Sequence, residues 1–407
     1  MPVPGAQSVQ PGVMMSLARL NTRELGQASS IASIGPGQVW QDVYHWLATY
    51  GLAVNGGRYP TVGVGGLLVG GGISYFSGKH GWSCDTVVAY EVVLADGSIV
   101  EATAAGAHAD LFWALRGGHN NFGIVTRFDL KTFPMTSAYY GGTIWDGKNA
   151  SAQTQFFAAL DAYVLPGGGV DDPNAATSAI VSVTPGSGAS QLISIRFAPG
   201  TDGNPKAFEN FTAIDAPVLQ SAGGKVVPDW TEVLNSLEQT GDRGSRRLFW
   251  SVSFKADSRA IRIGNETVIG LAFSELANVP GAVVALTYQL ISKDWLLVSQ
   301  KSGGNVLDVD PDSGTFISAL ISCTWDNAAD DKKVNLFAKK AASVIIEETT
   351  ELGLEYDFVY LNDAGPTQKP FETYGGGKSL PRLIQIRNKY DPNRFLQKYL
   401  SHGFGIE

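Results

Sequence analysis

The stretch Tyr59 to Gly72, YPTVGVGGLLVGGG, decides how the rest of the chain is read. Six of its residues are glycine (Gly63, Gly65, Gly66, Gly70, Gly71, Gly72), interleaved with Val62, Val64, Leu67, Leu68 and Val69. So much glycine gives up chain entropy and side-chain burial. It is kept where another backbone or a flat ligand must touch the main chain, or where φ must be positive. A buried turn that lets two sheets pack closely meets the same description. The apolar residues between the glycines exclude a solvated linker, which would carry Ser and charge. Nor is this a dinucleotide fingerprint, which needs a strand before it and a helix after it. Here Ile73 to Cys84, ISYFSGKHGWSC, is aromatic and glycine-broken instead of amphipathic.

Outward from that stretch, the pattern before it is helical. Val39, Val43, Trp46 and Leu47 share one face from Gln38 to Tyr50, opposite Gln41, Asp42 and His45, and Gly51 is the expected C-cap. His45 reads as a surface residue. Earlier, Val13 to Met15 and Ile31 to Ile34 read as short strand pieces ended by Gly35-Pro36-Gly37. After the stretch, Thr86 to Leu94 is a buried strand, turned by Ala95-Asp96-Gly97-Ser98 into Ile99-Val100. Asp110 is placed to cap a short helix, Leu111 to Leu115. A second glycine-rich loop, Arg116 to Val125, then feeds a strand alternating Ile124, Thr126, Phe128 and Leu130 against Val125, Arg127, Asp129 and Lys131. Two such loops feeding strands imply convergence on one ligand.

From 136 to 355 strands (178–183, 191–197, 248–254, 281–291, 315–325) alternate with helices (151–164, 267–277, 331–352) without short βαβ periods. That favours an antiparallel sheet with helices on one side, and the chain as a whole as α+β. The tail reads as a strand, Asp357 to Leu361, a loop to Gly377, and a helix from Leu380 to Tyr390. Asn362 and Asp363 at the exit of that strand are placed to touch a ligand, though both are ordinary turn formers.

With 407 residues, 44% of them hydrophobic, the chain can bury a sizeable core. A formal charge of −8 without a Lys/Arg cluster argues against nucleic acid or an anionic membrane surface as partner. No run is apolar and long enough for a transmembrane helix. The N-terminal residues show neither a charged n-region nor an apolar h-region. Cys84 and Cys323 allow one disulfide at most, and no Cys/His spacing points to a metal.

Four blocks together resemble the berberine-bridge-enzyme-like FAD-linked oxidases of the vanillyl-alcohol-oxidase superfamily, fungal members above all. They are NGGRYPTVGVGGLLVGGGISYFSGKHGWSCDTVVAYEVVLADG (55–97), DLFWALRGGHNNFGIVTRFDLKTF (110–133), SGGNVLDVDPDSG (302–314), and YLNDAGPTQKPFETYG (360–375) followed by YDPNRF (390–395). The resemblance implies a PCMH-type FAD-binding domain built from residues 1–135 and 356–407. An antiparallel-sheet substrate domain, 136–355, is inserted between them. It also implies FAD contacts at Gly63, Gly65, Gly66, Gly71, Gly72, Gly123, Val125, Tyr360 and Asn362.

Three departures stand out. Relatives carry an RSGGHS-type loop ahead of the position of Val13, whose His commonly bonds the flavin; this chain as written starts after it, and no R-x-G-G-H occurs elsewhere. Doubly linked relatives have Cys where this chain has Tyr59, and the usual Tyr after YLN is Asp363. The expectation is non-covalent FAD in an oxidase for a small organic substrate, a sugar or secondary-metabolite alcohol, with O2 as oxidant. Candidate proton acceptors are Tyr360, Asp363 and Gln289, with His119 weaker; for Tyr360, simple core packing accounts for the residue as well. Two rivals are a flavin-independent cyclase or isomerase using Asp363 as acid, and an inactive remnant lacking part of the FAD domain.

Overall fold

A computed structural model describes residues 12–234, 244–399 and 403–406. It is α+β, with two antiparallel sheets. In the first, β1 (Arg23–Leu25), β2 (Ile31–Ile34), β3 (Leu52–Val54), β4 (Val87–Val93), β5 (Ile99–Thr103) and β6 (Ile124–Pro134) run in the order β1-β2-β6-β4-β5, with β3 pairing the far end of β6. The Asp-Gly turn joins β4 to β5 as read, with Gly97 at φ +85°. Val13 to Met15 pair with no strand and are exposed.

The alternation along β6 departs from expectation. Glu91 pairs with Arg127 but Val92 with Val125, so one extra residue, Thr126, is accommodated in a bulge. The bulge reverses the phase, and Val125 is buried together with Phe128 and Leu130. Asp110 does not cap its helix, Ala109–Leu115, whose N-cap is His108. Its carboxylate accepts from Leu111 N–H within the first turn, and from Lys389 and the Tyr390 hydroxyl, which tie the helix to the tail.

The second sheet comprises β7 (Ala138–Asp146), β8 (Ala176–Thr184), β9 (Ala189–Pro199), β10 (Val218–Val227), β11 (Arg246–Lys255), β12 (Val283–Ile291) and β13 (Phe316–Trp325), ordered β10-β7-β9-β8-β12-β13-β11. β7 and β10 escape sequence reading because each carries a glycine pair, Gly141-Gly142 and Gly223-Gly224, where apolar alternation should be. Helices Ser258–Leu276 and Asp331–Glu351 cover one face of this sheet. Tyr288 on β12 faces them and donates its hydroxyl to the Ile261 carbonyl. By the two-residue period, Gln289 points to the opposite face. Ser318, its neighbour across the β12–β13 pair, is buried beside it.

A first hydrophobic core gathers the first sheet, helix α1 (Trp40–Ala48) and the tail residues Phe371, Tyr374, Leu383 and Ile386. On α1, Trp40, Val43, Tyr44 and Leu47 are buried and His45 is exposed. A second core lies between the second sheet and its helices. Cys84 belongs to the first core and Cys323 to the second; both are free thiols, so the possible disulfide is not formed. The expected tail strand at Asp357 to Leu361 is not one. The segment is extended without ladder partners and ends in a 3-10 turn, Leu361–Asp363. Side chains hold it instead: Tyr360 N–H donates to Ser251 Oγ on β11, and Gln368 Oε1 accepts from Ser251 and Gly365 N–H.

Candidate functional site

The glycine stretch is half helix, half turn. Val64–Val69 forms a short helix, α2, although two of its six residues are glycine. Val64 and Leu68, one turn apart, are fully buried, and that packing overrides the poor propensity. Gly71 and Gly72 then turn the chain at φ +105° and +93°.

The glycines of the two halves serve different ends. A Cβ on Gly70 would lie 2.2 Å from Asn362 Oδ1, and one on Gly72 would lie 2.5 Å from Ser83 Cβ. One on Gly71 would press on Leu307 and Tyr360. Those three glycines make room for the protein itself. Gly63 and Gly66, by contrast, have nothing within 4 Å of that position, and Gly65 meets only Pro36. Spaced i, i+3, Gly63 and Gly66 lie on one exposed face beside Val62, and their bare backbone can be approached by a flat ring system.

The tail segment meets the turn from the other side. Tyr360 Oη accepts from Gly72 N–H at 3.0 Å and from Asn362 Nδ2 at 3.0 Å, and Asn362 Nδ2 also donates to the Leu67 carbonyl. Burial, with Asp363 nearby, pushes the Tyr360 phenol above its ordinary value, so it keeps its proton. That proton remains free to be donated.

Asp363 Oδ2 accepts from Gln289 Nε2 at 2.6 Å, and Gln289 also donates to the Ser318 carbonyl. Arg58, at the head of the glycine stretch, donates to Gln289 Oε1 and, at 3.1 Å, to Ser178 Oγ on β8. Burial raises the Asp363 carboxyl; the Gln289 hydrogen bond and the Arg58 charge pull against it. The structure thus brings together Tyr360, Asn362, Asp363 and Gln289, and adds Arg58, which sequence reading missed. A signal existed: Arg58 is the one Lys, Arg, Asp or Glu between Asp42 and Lys79. Arg58 and Gln289 border a cleft of about 520 Å³, counting its open mouth, walled by Tyr75, Tyr163, Asp172 and Trp295.

The second glycine loop is adjacent to α2 but is mostly occupied by packing. A Cβ on Gly117 would strike Leu307, and one on Gly123 would strike Val92 and the Val93 carbonyl. Val125 is buried in β6. His119 stands at φ +62° against the tail, near Gly403 and bonded through Nδ1 to Asn120 Oδ1, with its pKa lowered by burial. No hydrogen bond joins it to the Tyr360–Asp363 group among the described residues.

Arg116, in the same loop, is 2% exposed and pairs with Asp85 at 3.0 Å. It also donates to the Cys84, Ser302 and Gly304 carbonyls. Asn305 Nδ2 and Trp82 N–H complete the Asp85 shell. The 302–314 block is thereby latched to the segment after the glycine stretch. Cys84 lies inside this latch, its thiol pushed up by burial and by Asp85.

Among the described residues no helix is long and apolar enough to cross a membrane, and no three His, Cys, Asp or Glu residues stand together as a metal site would need. The bare face of α2 leaves room for a flat cofactor. Residues 3–103 match the model of the FAD binding domain family. The FAD-dependent monooxygenase prx3 of Penicillium roqueforti is 37% identical over 416 residues, covering 100% of this chain and 80% of that protein. In structure, the chain is similar to 6-hydroxy-D-nicotine oxidase of Arthrobacter nicotinovorans (TM-score 0.75, 19% identity, 96% of this chain and 82% of that one). It is also similar to the BBE-like 1 protein of Physcomitrella patens (TM-score 0.70, 19% identity, 95% and 81%). These structural likenesses bear on the fold; the sequence match carries the kinship. The chain belongs to the FAD-binding oxidoreductase family that includes the fungal FAD-dependent monooxygenases.

Proposed function

We propose that this chain is an oxidase of a small organic alcohol or amine, with FAD held non-covalently and O2 as final oxidant. The supporting observation is the junction at which Gly70–Gly72 meets the Tyr360–Asp363 turn, and Asp363 in turn is bonded to Gln289, which borders the cleft, beside the bare face of α2. Residues 1–135 and 356–407 would serve the cofactor and 136–355 the substrate.

Gly63, Gly65 and Gly66 would hold the flavin by close backbone approach, with Asn362 fixing the end of α2 through Leu67. When bound, FAD supplies an acceptor for a hydride from a substrate C–H bond. Asp363 takes the proton from the substrate hydroxyl or amine. A carboxyl raised by burial is a better base near neutrality than an exposed one, and Gln289 sets its orientation. Tyr360, with both its acceptor positions engaged, points its own O–H at the bound substrate as a hydrogen-bond donor.

Non-covalent attachment is supported by Tyr59 at the linking position and by the sequestered Cys84. The test is to incubate the purified chain with excess FAD, desalt it and record the visible spectrum. Flavin absorption that travels with the protein, and is released into the supernatant on acid precipitation, is the expected result. A colourless, monodisperse protein would overturn the oxidase reading and leave Asp363 to serve as the acid of a flavin-free enzyme.

A further inference from the structure

Arg58 is a cation that no ion pair neutralises among the described residues, and it stands at the head of the glycine stretch. It is half-buried, and its two described hydrogen bonds go to neutral oxygens, Ser178 Oγ and Gln289 Oε1. They engage two of the five N–H groups that a guanidinium carries. Among the described residues no carboxylate lies within ion-pair distance of it, in contrast to Arg116, whose guanidinium is closed off by Asp85 and three carbonyls. The protein therefore spends two side chains on orienting Arg58 and pairs no carboxylate with it directly; Asp363, beyond Gln289, feels its charge without forming an ion pair.

Its surroundings define what it is oriented towards. Arg58 lines the cleft together with flat, fixed aromatic walls. Tyr75 is stacked on Phe197 with ring centroids 4.7 Å apart, and Trp295 is packed on Trp82 at 4.9 Å. Ser74, Ser292 and Thr177 supply short hydroxyls between them. The other charged residue of the lining, Asp172, already accepts from Asn174 N–H in its own turn.

We propose that Arg58 is the substrate-recognition residue, and that the cleft takes a planar organic anion. Its carboxylate or enolate oxygen is held by the free N–H groups of Arg58, and its ring or conjugated chain lies between Tyr75 and Trp295. A forked donor set pinned at two N–H groups is suited to a planar, two-oxygen acceptor. A neutral sugar would leave this cation unpaired. The proposal rests on the oxidase reading for its consequence: because Gln289 bridges Arg58 and Asp363, an anion at Arg58 sets the remainder of the molecule beside the proton acceptor.

The test uses the purified full chain and two isosteric probes, benzoate and benzamide, titrated against tryptophan fluorescence, with FAD retention read separately by absorbance on the same samples. Benzoate is expected to bind at least ten times more tightly than benzamide. Arg58→Gln removes that preference without moving the thermal midpoint appreciably. Asp172→Asn, which leaves Arg58 in place, strengthens benzoate binding severalfold and leaves benzamide unchanged. Equal binding of the two probes by the unmodified chain, or a preference that survives Arg58→Gln, overturns the proposal. A carboxylate preference in protein that retains no flavin keeps the anion site and sinks the oxidase reading; retained flavin without a preference does the reverse.

Discussion

Asp85 and Asp363 are the same residue, both deeply buried, and each lies close to the glycine turn, yet the fold treats them in opposite ways. Asp85 is surrounded: the Arg116 guanidinium, Asn305 Nδ2 and Trp82 N–H all donate to it. Asp363 accepts from a neutral amide, and the Arg58 guanidinium, hydrogen-bonded to that same amide, acts on it by charge without an ion pair. Burial raises both carboxyls, and the opposing groups are more numerous around Asp85. A buried carboxylate with a complete shell is a latch. One held by a single neutral amide keeps the freedom to exchange its proton.

The comparison breaks most readily at Asp85. Asp85→Asn leaves Arg116 buried at 2% exposure with no counter-charge. Removing one member of a buried pair costs about 3–5 kcal/mol. Chemical denaturation should show that loss as a lower midpoint with the slope unchanged. A cost below about 1 kcal/mol, the net worth of one hydrogen bond, would remove the distinction between the two residues.

These two carboxylates also mark how far the sequence could be read. The α+β class, the helices at 331–351 and 379–390 and five strands of the second sheet were legible because their apolar periods are local. The positive-φ, closely packed turn of the glycine stretch was legible too, but not its helix, since Val-Gly-Gly-Leu-Leu-Val becomes helical only by burying Val64 and Leu68. Tyr360, Asn362 and Asp363 were found through their motif. Arg58 and Asp85 were not, because their partners lie far along the chain: Gln289 is 231 positions from Arg58, and Asn305 is 220 from Asp85. No short-range pattern carries such a pairing.

A second, smaller effect sharpens the contrast. Folding raises the proton affinity of Asp363, so the native chain holds a proton that the unfolded chain releases at the ordinary carboxylate pKa. Stability from this group is therefore present at acid pH and is lost as pH rises from the ordinary carboxylate range through the folded pKa. Asp363→Asn cannot ionise but still accepts from Gln289. It should match the unmodified chain at pH 4 to within about 1 kcal/mol. As pH rises, the variant should gain relative to the unmodified chain in thermal midpoint. A gap that does not change with pH would mean that folding does not raise the Asp363 pKa, and the case for it as a base tuned towards neutrality would fall.

The smallest effect on stability separates the two halves of the glycine stretch. Gly72→Ala is the reference: at φ +93°, with Ser83 Cβ 2.5 Å from the new methyl, it should cost about 1–3 kcal/mol by overpacking alone. Gly66→Ala meets nothing within 4 Å and lies inside α2. Alanine is favoured over glycine in a helix by up to about 1 kcal/mol, so the thermal midpoint should hold or rise slightly. The same methyl stands where a flat cofactor would touch the backbone, so FAD retention after desalting should fall while stability does not. If Gly66→Ala keeps its flavin, the bare face of α2 is only surface, and the cofactor contact must be sought on the turn side, at Gly70 to Gly72. If it unfolds like Gly72→Ala, the glycines are all there for packing, and the two halves of the stretch are one.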